Sequence, residues 1–516
     1  MNAALTKTNP IRLSWNLGLV IVVLAAGFGL RLVGLTNPPF DFHPTRQLQD
    51  ALIARGFYYQ MLPQPDPLKA KTAQDNLKSR FEFEPRILER IVAVTYLVTG
   101  GENVWVSRIY SSLFWLIGGL ALFNLARRIS SSMGGLLALA FYLFLPFAVS
   151  ASRSFQPDPF MEMWILLALW SLQRWSEGRT WKMALLTGLF SGIAVLIKIY
   201  AAVFLGPVLF AVTLNSVGLR GAIKNKQAWV MAAFSIIIPS AYYLTRIPGN
   251  SLSFFSLYSL SFTNLLIKPK FYFSWLNMIN QIAGKGFLLA GLIGMLLLPS
   301  KGRVLVAGLW VGYVLFGLLE PYQITTHDYY SLPVVPILAL SLAGLITLVH
   351  EKITRQQPFW RTAAAGIVVL TLLISGWIAR NALISPNYSS EAGGWAQLGA
   401  EMPRDGKIIA LTHDYGFRIA YYGWINVDTW PTAADFALTG LTNSNQNTGQ
   451  SSQGEFDQYF ETLTAGHKYF LVTLFNELDS QTMLKTKLYT SYPTFQKGDG
   501  YIIFDLDHPS INSQQP

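Results

Sequence analysis

The strongest constraint on this chain is a series of apolar segments, each long enough to cross a lipid bilayer. A spanning helix needs about 20 mainly apolar residues. Such segments occur throughout the first three quarters of the chain, at 14–35, 104–126, 133–151, 159–173, 183–214, 228–245, 286–299, 304–319, 330–349 and 362–384. Because Lys198 lies in the middle of 183–214, that segment predicts two helices joined by a tight turn. The pattern predicts a polytopic α-helical membrane protein with about eleven spans.

The composition and charge exclude several classes of protein. Only 13% of the 516 residues are charged, about half the usage of soluble domains. Residues 1–384 carry 32 Lys and Arg against 14 Asp and Glu, whereas residues 385–516 carry 7 against 14. The positive excess therefore belongs to the membrane part, where it indicates basic cytoplasmic loops rather than a nucleic-acid surface. The absence of cysteine excludes disulfides, zinc–thiolate sites and thiol nucleophiles.

The basic residues also predict the orientation in the membrane. They lie in alternate short loops and in the N-terminal tail, which the positive-inside rule places in the cytoplasm. An odd number of spans then puts the C-terminus outside, so we expect a multi-pass protein of the cell membrane. The first outer loop covers about residues 36–103, and its segments 45–62 and 85–98 have the apolar spacing of surface helices.

The chain divides into a transmembrane domain, 1–384, and a small extracytoplasmic α/β domain, 385–516. Three β-rich runs predict strands, at 407–412, 469–474 and 500–506. Residues 452–463 and 479–489 are predicted helices, and the polar stretch 442–454 is predicted to be a loop.

Polar groups at the outer ends of membrane helices are costly unless they are paired or hydrated, so those in this sequence are candidate site residues. Asp41 follows the first span and precedes His43, Arg46 and Gln47. Its carboxylate could act as a general base toward a hydroxyl group. Alternatively, Asp41 caps the next helix and Arg46 anchors lipid headgroups.

A second stretch, Phe81-Glu82-Phe83-Glu84, ends the polar part of the same loop. Glu84 could join His43 or His327 around a divalent cation. The sequence specifies no third ligand, and we therefore expect no obligatory metal or other cofactor.

Two further stretches lie on the same predicted face. Arg153 and Asp158 flank a short loop in which Asp158 could either cap a helix or bind substrate. Lys198 could extend to lipid headgroups or bind a phosphate. His327-Asp328-Tyr329-Tyr330 leads into a late span.

Together, these carboxylates and cations fit one reaction. A hydroxyl attacks a group linked to a lipid phosphate, a carboxylate accepts the hydroxyl proton, and Arg or Lys stabilises the departing phosphate. The partners predicted from this chemistry are the lipid bilayer, a polyprenyl-phosphate-linked sugar and an extracytoplasmic acceptor. No nucleic acid is expected among them.

In order and placement these residues resemble the GT-C glycosyltransferases, in particular the branch of the protein O-mannosyltransferases and the lipid A aminoarabinose transferases. The resemblance covers most of the part before His350. It follows the chain through Asp41 with Arg46-Gln47, Glu84-Pro85, Gly100 with Arg108, Arg153 with Pro157-Asp158, Lys198, and His327-Asp328-Tyr329-Tyr330 with Pro333 and Pro336.

The resemblance implies a GT-C-like membrane fold and an inverting transfer of a hexosyl or pentosyl unit from a polyprenyl-phosphate donor. It implies that Asp41 is the catalytic carboxylate and that Asp158 is a second acidic site residue. The donor phosphate would be bound by Arg46, Lys198 and Arg153. The substrate pocket would be lined by His43, Gln47, Glu84, His327, Asp328, Tyr329 and Tyr330.

One residue departs from the family pattern. Many members have an acidic pair after the first span, whereas Phe42 follows Asp41 here. This difference leaves the acceptor class open and keeps a non-catalytic envelope assembly protein as one alternative. A lipid or lipid-linked sugar transporter is another, although transporters place charges near the bilayer midplane and show related halves, and no internal repeat is visible here.

Overall fold

The computed structural model describes residues 10–80, 84–246, 260–442 and 452–510. The predictions made for Phe81-Glu82-Phe83 and for most of the loop 442–454 lie outside these ranges. The helices are, in chain order, α1 Pro10–Arg31, α2 Pro44–Met61, α3 Pro67–Ser79, α4 Ile87–Thr99, α5 Val104–Ile129, α6 Ser132–Phe144, α7 Pro146–Arg153, α8 Asp158–Gly178, α9 Trp181–Ile197, α10 Ala201–Lys224, α11 Lys226–Arg246, α12 Pro269–Ile282, α13 Lys285–Leu297, α14 Ser300–Leu319, α15 Gln323–Thr326, α16 Val334–Thr354, α17 Pro358–Ile384, α18 Ser389–Glu401, α19 Ala433–Thr442, α20 Gln453–Thr464, α21 Phe475–Ser480 and α22 Thr482–Ser491. The strands are β1 Ile408–Leu411, β2 Asp428–Thr429, β3 Tyr469–Val472, β4 Thr494–Gly498 and β5 Tyr501–Asp505. The predicted mostly helical chain with a small C-terminal sheet is confirmed.

The chain forms two compact units, of which the first comprises the described parts of 1–36, 82–88 and 103–386. Every predicted spanning segment corresponds to a helix of this unit. The segment around Lys198 is divided as predicted, because α9 ends at Ile197 and α10 begins at Ala201. Within the described residues, six helices are long and apolar enough to cross a membrane, or up to eight if each of two bent pairs is one span. The count of eleven spans stays a prediction.

The two bent pairs have identifiable backbone causes. Helices α6 and α7 meet at 65°, where Pro146 lacks an N–H group and keeps Leu145 in an extended conformation. Helices α12 and α13 meet at 92°, where Gly284 adopts a φ of 89°. A residue with a side chain would be strained at that φ, so glycine permits the sharp turn.

Close helix contacts in the first unit depend on glycine. A Cβ atom on Gly294 of α13 would lie 2.4 Å from the carbonyl oxygen of Ser341 on α16. A Cβ atom on Gly344 of α16 would lie 2.2 Å from the carbonyl oxygen of Gly294. The two backbones therefore approach as closely as small residues allow, which is a common way for membrane helices to pack.

The second unit comprises the described parts of 37–81, 89–102 and 387–516. Most of the first outer loop thus packs with the C-terminal segment. The predicted division at residue 385 had assigned that loop to the transmembrane domain. Arg55 of α2 shows why, since its buried guanidinium bonds to Glu102 at 2.7 Å and to the carbonyl of Tyr421 at 2.7 Å. The same group lies 3.9 Å from the ring centroid of Trp424.

The sheet of the second unit has the strand order β2-β1-β3-β5-β4. Strand β1 pairs in parallel with β2 and β3, and β5 pairs antiparallel with β3 and β4. The three predicted strands correspond to β1, β3 and β5, which are largely buried. Strands β2 and β4 were not predicted, because β2 has two residues and β4 is mostly exposed at the sheet edge.

An aromatic core holds the helices of this unit against the sheet. Phe460 of α20 is fully buried, and its ring centroid lies 5.6 Å from that of Trp430 and 5.8 Å from that of Tyr492. It also stacks on Phe470 of β3.

Replacing this central ring should destabilise the second unit. We expect Phe460→Ala to lower the free energy of unfolding by about 3–5 kcal/mol, because it removes apolar burial and leaves a cavity. The measurement is the urea dependence of proteolytic cleavage of the C-terminal segment in the full chain. Phe475→Ala, at a position 36% exposed, is the control and should change little. Equal sensitivity of both variants would contradict the assignment of Phe460 to the core.

Candidate active site

Asp41 lies in the turn between α1 and α2, in the second unit. The turn is anchored by Phe40, whose buried ring lies under the guanidinium of Arg418 at 4.5 Å. The Asp41 Oδ1 atom accepts a hydrogen bond of 3.3 Å from the buried side chain of Gln47. Gln47 also donates to the carbonyl of Phe42 at 2.5 Å. These contacts orient the carboxylate and bring Asp41 and Gln47 together.

The alternative that Asp41 caps α2 is wrong. The N-cap residue is His43, which has a left-handed φ of 46° and makes no side-chain capping bond, and Pro44 begins the helix. Arg46 is the third residue of the helix, with its Nε atom 3.7 Å from Asp50 Oδ2. The Thr45 hydroxyl donates to Asp414 at 2.6 Å. The first turn of α2 is therefore held by side-chain contacts within the second unit.

In the first unit, Asp158 and Lys198 form a buried ion pair. Lys198 Nζ lies 2.9 Å from Asp158 Oδ1, and the two side chains are 8% and 5% exposed. Asp158 is the first residue of α8, where the helix dipole favours a negative charge, and the N-cap is Pro157. The buried Asp158 Oδ2 atom has no hydrogen-bond partner in the described part of the chain. The pair therefore joins the start of α8 to the turn between α9 and α10.

Aromatic rings surround the Lys198 ammonium. Its Nζ atom lies 5.5 Å from the ring centroid of Tyr329 and 5.3 Å from that of Tyr330. The His327 ring contacts both tyrosines, and Asp328 begins the short 3₁₀ turn that carries them. The sequence predicted these residues as one group with Lys198, and the structure brings them together.

A series of hydrogen bonds between buried side chains holds this 3₁₀ turn in place. The Trp275 indole N–H donates to the Tyr313 hydroxyl at 3.0 Å, and the Tyr313 hydroxyl lies 2.9 Å from the Ser331 hydroxyl. All three side chains are buried, so their polar atoms satisfy one another. These hydrogen bonds position the residue that directly follows Tyr330.

Two acidic residues near this group were not predicted as site residues. Glu320 is fully buried at the end of α14 and hydrogen-bonds to Tyr200, which precedes α10. Glu162 lies one turn after Asp158 and is 1% exposed. The signal for Glu162 was its position in an otherwise apolar segment. Glu84, which was predicted, lies close enough to Tyr200 to interact electrostatically.

Arg153, a predicted phosphate ligand, donates to backbone carbonyls at the end of α1. Its guanidinium is bonded to the carbonyls of Val33 and Gly34, the latter at 3.0 Å. Arg108 donates to Gly34 and Leu35 at 3.1 and 3.0 Å, and Arg31 donates to Ser152 at 2.7 Å. The three arginines are at most 1% exposed. This set, the arginine cluster, holds α1, α5 and α7 together.

The predicted metal ligands do not form a cluster. No group of three or more His, Asp or Glu side chains able to hold a metal ion occurs among the residues that the structure describes. His327 Nδ1 instead lies 2.8 Å from the Thr326 hydroxyl.

Comparison with solved structures identifies the fold of the chain. Residues 85–243 match the family model described as dolichyl-phosphate-mannose-protein mannosyltransferase. ArnT from Cupriavidus metallidurans, crystallised with undecaprenyl phosphate, is similar over 95% of this chain and 98% of that chain, with 14% identity and a TM-score of 0.55. The chain has the GT-C fold. The predicted resemblance to GT-C glycosyltransferases is thereby confirmed.

Two further structures with this fold are similar to the chain. The archaeal oligosaccharyltransferase AglB from Archaeoglobus fulgidus, in complex with an inhibitory peptide and a dolichol-phosphate, matches over 98% of this chain and 75% of that chain. Its identity is 12% and the TM-score is 0.57. The arabinofuranosyltransferase AftD from Mycobacteria matches over 94% of this chain and 41% of that chain, at 16% identity and a TM-score of 0.52. No curated protein matches the chain in sequence.

The ion pair generates a prediction about stability. Asp158→Asn and Lys198→Met should each destabilise the protein by about 3–5 kcal/mol, because each leaves one buried charge without its counter-charge. The double variant should cost less than the sum of the two single variants. Thermal unfolding in detergent measures the effect.

The Arg128–Glu177 pair serves as the control. Its side chains are 28% and 33% exposed, so Glu177→Gln should cost about 1 kcal/mol or less. Strictly additive effects of Asp158→Asn and Lys198→Met would show that the two residues do not interact as described.

Proposed function

We propose that this chain is a membrane glycosyltransferase that moves a sugar from a polyprenyl-phosphate donor to an extracytoplasmic hydroxyl group. The observation that carries the proposal is the similarity to ArnT bound to undecaprenyl phosphate, which extends over almost the whole length of both chains. The match to the dolichyl-phosphate-mannose-protein mannosyltransferase family supports the same class of reaction.

Lys198 is the proposed ligand of the donor phosphate. An ammonium held at a defined position forms short, charge-assisted hydrogen bonds to phosphate oxygens. Asp158 is proposed as a positioning residue, since its contact to Lys198 at 2.9 Å fixes the position of the ammonium. Binding of the phosphate by Arg46 stays a prediction from the sequence. The contacts of Arg153 with the end of α1 support an organising role for that residue instead.

The aromatic and polar groups beside Lys198 are proposed to line the pocket of the lipid-linked sugar. Tyr329 and Tyr330 offer flat apolar faces together with hydroxyl groups, a combination that suits a sugar ring. His327 and Asp328 belong to the same turn. Glu84, with Tyr200 as its neighbour, is proposed as a further polar group of this pocket.

Asp41 is the proposed general base. Its carboxylate would accept the proton of the acceptor hydroxyl while the hydroxyl oxygen forms a bond to the anomeric carbon. The bond between that carbon and the phosphate oxygen breaks in the same step, and the lipid phosphate leaves with the electron pair. A single displacement of this kind inverts the anomeric centre. The hydrogen bond from Gln47 supports the role by orienting the carboxylate.

Removing the base should abolish most of the transfer without unfolding the protein. We expect Asp41→Asn to lower the transfer rate by about 10²–10⁴-fold, because the amide keeps the shape but cannot accept the proton. The measurement is transfer of a radiolabelled sugar from polyprenyl phosphate to an acceptor by purified protein in liposomes. Retention of full transfer by a folded variant would refute the role of Asp41.

Asp66→Asn is the matched control for this experiment. Asp66 is an exposed residue of the second unit that caps α3 by accepting a 2.9 Å hydrogen bond from the Lys69 backbone. Asparagine is an equally good N-cap residue, so this variant should transfer sugar at the normal rate.

The proposed reaction also requires a defined orientation, with the second unit outside the cell and the basic loops in the cytoplasm. The chain contains no cysteine, so a single introduced cysteine is a unique label. In intact spheroplasts, Thr490→Cys should react with a membrane-impermeant maleimide, and Ser300→Cys should react only after permeabilisation. Both positions are exposed. The opposite labelling pattern would contradict the proposed topology.

A further inference from the structure

The sheet of the second unit has a feature that commonly positions ligands. Strand β1 lies between β2 and β3, and all three run in parallel. The chain leaves β1 toward β2 on one side and later returns to β3 on the other side. In open α/β sheets, ligands bind outside the carboxyl ends of strands at such a reversal of strand order. The carboxyl ends of β1 and β3 are therefore the expected place for a ligand.

A cleft lies at that place. It has a volume of about 700 Å³ and is formed by one face of α18, by His413 and Thr473, and by the β4–β5 turn. His413 follows β1 and Thr473 directly follows β3. The Thr412 and Thr473 hydroxyls lie 2.8 Å apart and so join the two strand ends. The volume lies within the usual range of binding pockets for small molecules.

The backbone is strained directly after His413, the residue of this segment that lines the cleft. Asp414 and Tyr415 have φ values of 49° and 53°, which are unfavourable for residues with side chains. Arg418 holds the Asp414 carboxylate and also bonds to Glu391 of α18. Strain of this kind persists only when surrounding contacts enforce it, and it is concentrated at functional sites.

The cleft is lined by groups that suit hydroxyl-rich ligands. Gln397, Gln496 and Glu401 supply planar amide and carboxylate groups, each of which can bond to neighbouring hydroxyls. Trp395 and Tyr501 supply aromatic rings. The buried His413 Nδ1 atom has no hydrogen-bond partner within the described ranges, and burial lowers the pKa of the ring, which favours its neutral form. A neutral ring can donate from one nitrogen and accept at the other.

The charge of the lining selects against anions. Three carboxylates border the cleft, from Glu391, Glu401 and Asp499, and one ammonium, from Lys497. Arg418 pairs with Glu391, which leaves two carboxylates against the ammonium. A phosphate, sulfate or uronate group would therefore meet a net negative surface. Hydrogen bonds from Tyr501 and Gln397 lower the pKa of Glu401, so this carboxylate is charged at neutral pH.

We propose that the cleft between α18, the carboxyl ends of β1 and β3, and the β4–β5 turn is a carbohydrate-binding site for a neutral glycan segment. The site lies entirely within the second unit. Binding there does not depend on the transfer reaction proposed above.

Two adjacent glycines of α18 provide a matched test. Gly394 lines the cleft, whereas Gly393 does not. A Cβ atom added at either position would meet no other atom within 4 Å, so both accept a large side chain. Gly394→Trp would place its ring in the cleft, and Gly393→Trp is the control with the same chemical change. Tryptophan is tolerated in helices, so both variants should fold.

The experiment measures binding of oligosaccharides to the full chain in nanodiscs by saturation-transfer NMR and calorimetry. The probes are neutral trisaccharides of glucose, galactose, mannose and arabinose, with trigalacturonate as the anionic comparison. We expect saturable binding of at least one neutral trisaccharide, weakened about tenfold or more by Gly394→Trp and unchanged by Gly393→Trp. Trigalacturonate should bind more weakly than the neutral probes.

Three results would each overturn the proposal. They are an absence of binding by every neutral trisaccharide, tighter binding of trigalacturonate, and equal weakening by the two glycine variants. Because binding is measured without a lipid-linked donor, the outcome is separate from that of the Asp41→Asn experiment. If transfer is absent and trisaccharide binding is intact, the cleft proposal still holds. If transfer is intact and trisaccharide binding is absent, the transferase proposal still holds.

Discussion

Backbone carbonyl groups that cannot reach water must accept hydrogen bonds from the protein, and this requirement organises the first unit. The carbonyls that follow α1 accept hydrogen bonds from Arg108 of α5 and Arg153 of α7. Arg31 of α1 in turn donates hydrogen bonds to Ser152 of α7 and to the carbonyl of Leu143 in α6. A guanidinium stays charged in proteins and offers five donors in a rigid plane, so a few arginines can satisfy several carbonyls at once. The arginine cluster thus satisfies the carbonyls that follow α1.

A similar constraint applies to the buried Lys198 of the first unit. A buried ammonium is stable only beside a counter-charge, which Asp158 supplies to Lys198 at 2.9 Å. Tyr329 and Tyr330 complete the surroundings of the ammonium with their ring faces. The fold therefore keeps a cation at a defined position, which is what recognition of a lipid phosphate requires. Asp41 and its contact with Gln47 belong to the second unit.

Much of the fold follows from the apolar periodicity alone. The turn at Lys198 was predictable because a charged residue divided an apolar segment too long for one span, and α9 and α10 end and begin on either side of it. Strand β4 was not predictable, since an exposed edge strand carries little apolar signal. The structure brings Asp158, Tyr329 and Tyr330, which are predicted candidates, to Lys198. Arg153 was expected to face a phosphate, and its contacts with α1 were not foreseen, because sequence cannot show which acceptor a cation finds.

The sequence by itself determined that the chain is helical and suited to a membrane, that a small α/β segment follows the last long apolar helix, and which polar residues are candidates for chemistry. These properties depend on local composition and on periods of two and 3.6 residues, which a linear chain displays directly. Only the tertiary structure decided that the first outer loop packs with the C-terminal segment, that three arginines converge on α1, and that α18 and the ends of β1 and β3 enclose a cleft. These features depend on contacts between residues far apart in the chain, and neither composition nor periodicity encodes such contacts.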